Sequence, residues 1–223
     1  MPKYRQSSLV RNLFTKGQPL AFSKGECILG NDAEPDGVYF LDTGYVKAYS
    51  ISNEGDEYLH VIYGSGDIFP LPWAYLGTWS EHLFYEGISD CVVWRISRDW
   101  FHYFVTQRLD VSHAMSLEVA QQLRLFGDRL DNLEYKKASE RVACRVLQLA
   151  GRFGVERENE MVIDSPITHE NLANSINLAR ESVSRELERL EHDRIITRAN
   201  HRIHIRDLGA LTARLGRPLP AQD

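Results

Sequence analysis

Residues 167–196, ITHENLANSINLARESVSRELERLEHDRII, constrain this chain more than any other stretch. Two apolar patterns of helical period meet there at Asn177. Thr168 precedes the first, and its hydroxyl can take one of the unpaired amides of a first helical turn. Leu172, Ala173 and Ile176 then share one face, with Ala173 small where two helices must approach closely. Asparagine is the commonest residue after glycine to accept the left-handed backbone that ends a helix. A second helix is expected from about Ala179 to His192, burying Val183, Leu187 and Leu190 at spacings of four and three. That register turns Arg180, Glu181, Ser184, Arg185 and Glu188 outward. An exposed face of Arg, Glu, Ser and Arg is what a recognition helix presents to base edges in the major groove. Helix pairs of this shape also occur in all-helical domains that bind no nucleic acid, so the flanking residues matter.

Those residues strengthen the nucleic-acid reading. Ile195-Ile196-Thr197 and Arg202-Ile203-His204-Ile205 flank Asn200-His201 as a short hairpin would, and a recognition helix followed by a two-stranded wing is a winged-helix arrangement. Arg198, His201 and Arg202 on the wing, with Ser139, Thr168, His169 and Ser182, are the expected phosphate contacts, which set register but carry no sequence information. The net charge of −5 looks wrong for such a partner, but its distribution is uneven. Residues 1–136 hold 12 Lys+Arg against 18 Asp+Glu, and residues 137–223 hold 14 against 13. Within residues 180–206 there are seven arginines against five acids. Basic character is local and modest, which favours a two-fold site and base contacts over bulk attraction.

Upstream the pattern changes. From about Leu20 to Ser97 short alternating apolar runs are punctuated by glycine, with Gly44, Gly55 and Gly66 eleven residues apart. Val38 and Phe40 alternate with Tyr39 and Leu41, and Val46 and Ala48 with Lys47 and Tyr49, as half-buried strands do. From about Arg98 to Leu133 a single helix is expected, interrupted only by Gly127. Positions 105, 109, 112, 116, 119, 123, 126, 130 and 133 step by four and three, a heptad seam. A parallel pair of such helices would give a homodimer matched to a palindromic operator; the alternative is one helix lying on its own domain, and Ser112 and Ser116 favour that for the upper part. The expected interface is Val119, Leu123, Phe126, Leu130 and Leu133. Asp131-Asn132 and Glu134 to Lys137 form a polar joint, read as the hinge, and a further helix starts at Ser139.

The expected fold class is α+β: an N-terminal antiparallel β jelly roll (1–98), a long dimerisation helix with its hinge (99–136), and a C-terminal winged helix–turn–helix (137–223). No run approaches membrane-spanning length and the N-terminus lacks a signal-peptide stretch. Cys27, Cys91 and Cys144 are far apart and odd in number, which points to reduced thiols in a cytoplasm.

With these motifs in place the chain resembles the Crp/Fnr superfamily of bacterial transcription regulators over almost its whole length. RESVSR followed by ELERLEHDRII is similar to the family's recognition helix and wing. DGVYFLDTGYVKAYSISNEGDEYLHVIYGSGDIF resembles its effector-domain signature, with the family's glycine at Gly44 and its Gly-Asp pair at Gly66-Asp67. The resemblance implies base contacts by Arg180, Glu181 and Arg185, as in members that read a TGTGA-like half-site. Ser184 beside Arg185 also matches members that read TTGAT-like sites, so the second base stays open, with Arg180 tilting it towards guanine. Ala179 departs from the Ser or Thr usual at the helix start. RNA polymerase is the implied protein partner.

The effector is read mostly from departures. In cAMP-binding members a glycine opens the phosphate-binding helix, a glutamate holds the ribose and an Arg-Ser pair follows. Here Pro70 and Leu71 stand where the glycine and glutamate would be, and the arginine's place falls near Glu81, beside His82. Proline has no amide for a phosphate, and a carboxylate would repel it, so cAMP is not expected. The closely spaced cysteines of cluster-binding members are absent, and apart from Pro2 nothing marks a haem site. No cofactor and no metal are expected. Phe69, Trp73, Tyr75, Trp79, Phe84 and Tyr85 crowd one segment, which is either packed core or the wall of an apolar pocket. Phe69, Leu71, Trp73, Phe84, Tyr85, Leu123 and Phe126 are the residues expected to line such a pocket for a small apolar or aromatic effector. Two other classes remain: a constitutive DNA-binding protein whose roll is only a scaffold, and a jelly-roll enzyme of cupin type. The enzyme would need clustered metal ligands, and His60, His82 and His102 are solitary.

Overall fold

The structure is a computed structural model that describes residues 8–30, 34–79, 83–157, 160–199 and 202–216. The described chain divides into two compact units, the boundary falling between Phe126 and Gly127. The first holds a short helix α1 (Ser8–Phe14) and strands β1 (Gln18–Phe22), β2 (Cys27–Leu29), β3 (Val38–Thr43), β4 (Val46–Ile51), β5 (Glu57–Tyr63) and β6 (Ile68–Phe69). Helix α2 (Leu71–Leu76), strands β7 (Phe84–Gly87) and β8 (Cys91–Ile96) and helix α3 (Arg98–Gln107) follow. The strands form two antiparallel four-stranded sheets, β1-β8-β3-β6 and β2-β7-β4-β5. The eleven-residue glycine spacing marks their turns: Gly44, Gly55 and Gly66 all take positive φ, at 91°, 91° and 99°. Gly44 is also sterically required, since a Cβ there would lie 2.4 Å from the Asp90 carbonyl oxygen.

Alternation along β3 divides the core. Tyr39 and Leu41 face the other sheet, where the Phe69 ring stacks on Tyr39 at 5.6 Å and on Tyr85 at 5.2 Å. Val38 and Phe40 face the helical side with Phe14, Leu71, Trp73 and Phe101. Ser97 caps α3 by accepting from the Trp100 amide at 3.2 Å.

One continuous helix from Arg98 to Leu133 is not what forms. The helix breaks at Arg108, whose backbone is extended at φ −128°, ψ 109° while its amide closes the last turn of α3 on the Phe104 carbonyl. The Arg108 guanidinium pairs with Asp110 at 2.6 Å at the start of the next helix, α4 (Leu109–Glu134). Val105 therefore belongs to α3 and drops out of the heptad seam. In α4 Val111, Met115, Glu118 and Gln122 are buried at steps of four, three and four, and the Gln122 amide nitrogen donates to the Ile68 carbonyl at 2.6 Å. The expected interface stripe lies elsewhere on the helix: Val119, Leu123, Phe126 and Leu130 are 42, 71, 38 and 66% exposed.

The second unit continues with α5 (Ala138–Phe153), β9 (Gly154–Arg157), β10 (Glu160–Ile163), α6 (His169–Ser175), α7 (Arg180–His192), β11 (Ile196–Ala199), β12 (Arg202–Ile205) and α8 (Leu208–Ala213). The polar joint falls between α4 and α5, after Glu134. Asn132 is buried, and its amide nitrogen donates to the Arg141 carbonyl at 2.9 Å, so the helix runs to Glu134. The wing is larger than expected. β11 and β12 pair as foreseen, but β12 also pairs with β10 and β10 with β9, giving a four-stranded antiparallel sheet. Among the described residues no helix is long and apolar enough to cross a membrane.

Candidate nucleic-acid interface

The helix pair forms as its apolar spacing requires. Thr168 caps α6: the Asn171 amide donates to its Oγ1 at 3.1 Å, and the Asn171 side chain accepts from the Thr168 amide at 3.2 Å. The helix ends at Ile176, and Asn177 takes the left-handed conformation at φ 51°. α7 then starts at Arg180 from Ala179, which offers no side-chain cap. Val183 and Leu187 are fully buried and Leu190 is 6% exposed. Each contributes about 1.5–3 kcal/mol by leaving water, and together they fix the rotation of α7 about its axis. Arg141 and Arg145 tie α5 to this turn. Arg141 donates to the Tyr135 carbonyl at 2.8 Å and the Ile176 carbonyl at 3.4 Å, and Arg145 donates to Ser175 Oγ at 3.0 Å.

The outward face carries the four expected base contacts, Arg180, Glu181 and Arg185 exposed and Ser184 half-buried. Arg185 is steadied on its own helix, donating to the Glu181 carbonyl and to Ser182 Oγ, both at 3.4 Å. Among the described residues no carboxylate pairs with Arg180 or Arg185. Ser184 is different: its Oγ lies 2.9 Å from His169 Nδ1, and His169 Nε2 lies 2.8 Å from an Arg198 guanidinium nitrogen. Arg198 is in turn held by Glu191 at 2.5 Å. This chain of contacts joins the start of α6, the middle of α7 and the first wing strand. The Glu191 carboxyl is held below its ordinary range by the hydrogen bond from Arg198. Burial, then the charges of Arg198 and Arg180, push the His169 imidazole down, with Glu188 and Glu191 acting the other way.

These contacts redistribute the expected phosphate contacts. Both ring nitrogens of His169 are occupied inside the protein, and the Thr168 hydroxyl is spent on Asn171, to which it donates at 3.0 Å. Arg202 pairs with Asp164 at 2.7 Å. Ser139 sits half-buried in the first turn of α5 and Ser182 on α7. His201 lies outside the described residues. The sequence reading missed Glu191, Asp164 and the link from His169 to Ser184. Their only signal was an acid seven residues before Arg198 and an acid after the Met161–Ile163 run.

The residues expected to line an effector pocket are divided between two cores and an exposed helix stripe rather than gathered in one place. Phe69 and Tyr85 are buried between the sheets, and Leu71 and Trp73 are buried in the helical-side core. Phe84 and Tyr85 are adjacent in one strand and so face opposite ways; Phe84 stacks on Tyr49 at 5.3 Å. Leu123 and Phe126 lie on the exposed stripe of α4. Pro70 precedes α2 with no side-chain cap, and Leu71 is 3% exposed where the resemblance places a ribose-binding glutamate. Glu81 and His82 lie outside the described residues. The nearest arginine considered for a phosphate, Arg95, is paired with Asp36 and donates to Gln18 at 2.5 Å. Among the described residues no group of His, Cys, Asp and Glu could hold a metal ion.

A β-roll followed by a winged helix–turn–helix defines a two-domain DNA-binding regulator. Residues 19–108 match the family model of the cyclic nucleotide-binding domain, and residues 140–214 that of the Crp-like helix-turn-helix domain. The chain is 25% identical over 194 residues to a CRP-like cAMP-activated global transcriptional regulator of Mycobacterium tuberculosis, covering 84% of this chain and 83% of that protein. It is 26% identical over 198 residues to the nitrogen fixation regulation protein FixK of Azorhizobium caulinodans, covering 87% and 78%. Among solved structures, FixK2 from Bradyrhizobium japonicum aligns with a TM-score of 0.75 at 25% identity, over 92% of this chain and 98% of that one. A CooA mutant from Carboxydothermus hydrogenoformans shares the fold at 0.75 and 21%, over 91% and 89%. The chain belongs to the Crp/Fnr family of transcription regulators.

The depressed His169 gives a pH dependence with a definite sign. Unfolded, the imidazole takes its proton near 6.5, and folded only at lower pH. Its contribution is therefore complete above that value and is lost as pH falls through the folded value. Cooling of the melting temperature between about pH 7.5 and about pH 5.5 should be larger for the wild type than for His169→Gln. Equal shifts in thermal denaturation would show that His169 does not titrate as its surroundings require.

Proposed function

We propose that the protein binds a palindromic operator as a homodimer, each α7 lying in a major groove, under a control that does not use cAMP. The observation that carries this is the outward face of α7, where Arg180 and Arg185 stand unpaired with any carboxylate among the described residues, on a helix whose rotation is fixed by Val183 and Leu187. Arginine pairs bidentately with guanine O6 and N7, and glutamate accepts from cytosine N4. Arg180 and Arg185 take guanines in this reading, Glu181 a cytosine, and Ser184 the base between. Phosphates fall to Ser139 and Ser182, with Arg202 and Arg198 reaching one only by leaving Asp164 and Glu191. The same reading makes RNA polymerase the protein partner and the cytoplasm the compartment.

Dimerisation is supported by the exposed stripe Val119, Leu123, Phe126 and Leu130, whose steps of four, three and four are those of a coiled-coil seam. Leu133, half-buried, ends it. Against cAMP stand Pro70, which has no amide, buried Leu71, and Arg95 already tied to Asp36 and Gln18. A second reading, that the regulator is constitutive and the roll a scaffold, is favoured by one observation: Phe69, Leu71, Trp73 and Tyr85 pack as core.

Three outcomes follow. Leu123→Asp with Leu130→Asp should give monomers by sedimentation that no longer bind operator DNA, since each leucine would otherwise contribute about 1.5–3 kcal/mol on burial; a double variant that stayed dimeric would place the interface elsewhere. cAMP should leave the melting temperature unchanged, whereas a ligand at about 100 times its dissociation constant adds about 2.7 kcal/mol. Selection from random DNA tests recognition itself. Arg180→Ala should cost about 1–3 kcal/mol per half-site and relax preference at one base pair, while Arg202→Ala should weaken all sequences alike and flatten the salt dependence. A selected site without inverted halves, or one unaltered by Arg180→Ala, would overturn the assignment.

A further inference from the structure

We propose that His169 is a specificity-positioning residue: by donating to the Ser184 hydroxyl it leaves the serine proton available to an acceptor on the facing base. This rests on the reading of α7 as the recognition helix.

The inference follows from counting protons. A guanidinium has five N–H donors and no acceptor. Arg198 lies 2.8 Å from His169 Nε2, so that nitrogen must carry its lone pair towards Arg198. Arg198 cannot easily turn away, because Glu191 grips its other terminal nitrogen at 2.5 Å. The single ring proton of the neutral imidazole is thereby placed on Nδ1. Nδ1 is 2.9 Å from Ser184 Oγ, so the histidine donates and the serine accepts. Burial and the charges of Arg198 on β11 and Arg180 on α7 keep the ring neutral against the opposing pull of Glu188 and Glu191.

The hydroxyl proton of Ser184 is then left over. Helical serines commonly return it to a carbonyl one turn back, as Ser116 does to Ser112 at 3.0 Å and Ser175 to Leu172 at 2.7 Å. Ser184 makes no such bond among the described residues. The residue is half-buried, and its proton goes to no protein acceptor among the described residues. An unconstrained serine reads donor and acceptor edges alike. A serine that returned its proton to a carbonyl could only accept from a base, whereas one that accepts from His169 keeps that proton, with its second lone pair, and can donate to thymine O4, guanine O6 or N7, or adenine N7.

The test is site selection from random DNA with the full-length protein and three variants. Ser184→Ala should lose preference at one base pair and keep those read by Arg180 and Arg185. His169→Glu places an acceptor-only carboxylate beside Ser184, still able to pair with Arg198. It should turn the serine proton inward and shift that same base pair towards cytosine by about tenfold, the scale of one base contact. His169→Gln can donate to Ser184 with its amide and accept from Arg198 with its carbonyl, and should restore the wild-type preference. Nitrogen-15 NMR of the wild-type imidazole should show a protonated Nδ1 and a bare Nε2 at neutral pH. If Ser184→Ala changes the selected base while His169→Glu does not, or if NMR finds the proton on Nε2, the role of His169 is overturned and the recognition-helix reading stands. If Ser184→Ala leaves the selected site unchanged, the assignment of Ser184 to a base fails, and this proposal with it.

Discussion

Everything the second unit offers to a partner depends on the burial of one apolar stripe. Val183, Leu187 and Leu190 leave water together, and their spacing permits only one rotation of α7. A turn of one residue about the axis would move Arg180 and Arg185 from the open face towards α5 and α6. The left-handed Asn177 sets where α7 begins, and Arg141 and Arg145 hold the preceding turn against α5 through its carbonyl and hydroxyl oxygens. Specific chemistry on the outer face therefore rests on unspecific chemistry beneath it. The hydrophobic term supplies the stability, and the hydrogen bonds supply the angle.

A polar network then adds a second constraint that the apolar stripe cannot give. Apolar packing fixes the helix but leaves hydroxyl rotors and histidine tautomers undetermined. The sequence of contacts from Glu191 through Arg198 and His169 to Ser184 fixes the histidine tautomer and makes Ser184 an acceptor from it, because its second member can only donate. Such a network couples the wing to the recognition helix without any contact between the wing and a base.

What could be read from the sequence follows the range of the interactions involved. The helix–turn–helix was legible because steps of three and four on either side of Asn177 are local signals. The glycine turns were legible for the same reason, and Gly44, Gly55 and Gly66 all adopt the backbone their residue type suits. The break at Arg108 was not, since no glycine or proline marks it. Strands β9 and β10 were missed because four residues with burial on adjacent positions show no alternation. The aromatic cluster from Phe69 to Tyr85 was visible as composition, but core and pocket walls share that composition. Only the two faces of β7 show that Phe84 and Tyr85 cannot line one space. The network around His169 needed side chains from three elements and left no periodic trace.

Charge closes the argument about how such a protein can hold DNA at all. Of the seven arginines between residues 180 and 206, Arg189, Arg198, Arg202 and Arg206 are paired with Glu186, Glu191, Asp164 and Glu160. Arg180, Arg185 and Arg194 are left without a carboxylate among the described residues. An arginine already paired must surrender its carboxylate before it can release a counterion from a phosphate, so the electrostatic gain per half-site is small. A chain of net charge −5 built this way cannot rely on non-specific attraction. In the proposed mode its affinity comes from base edges and from engaging two half-sites at once, where the second contact is made at the high effective concentration set by the first. Under the proposed dimer, the exposed stripe of α4 and the unpaired arginines of α7 thus answer the same physical deficit: the apolar seam supplies by connection what the acidic surface withholds by charge.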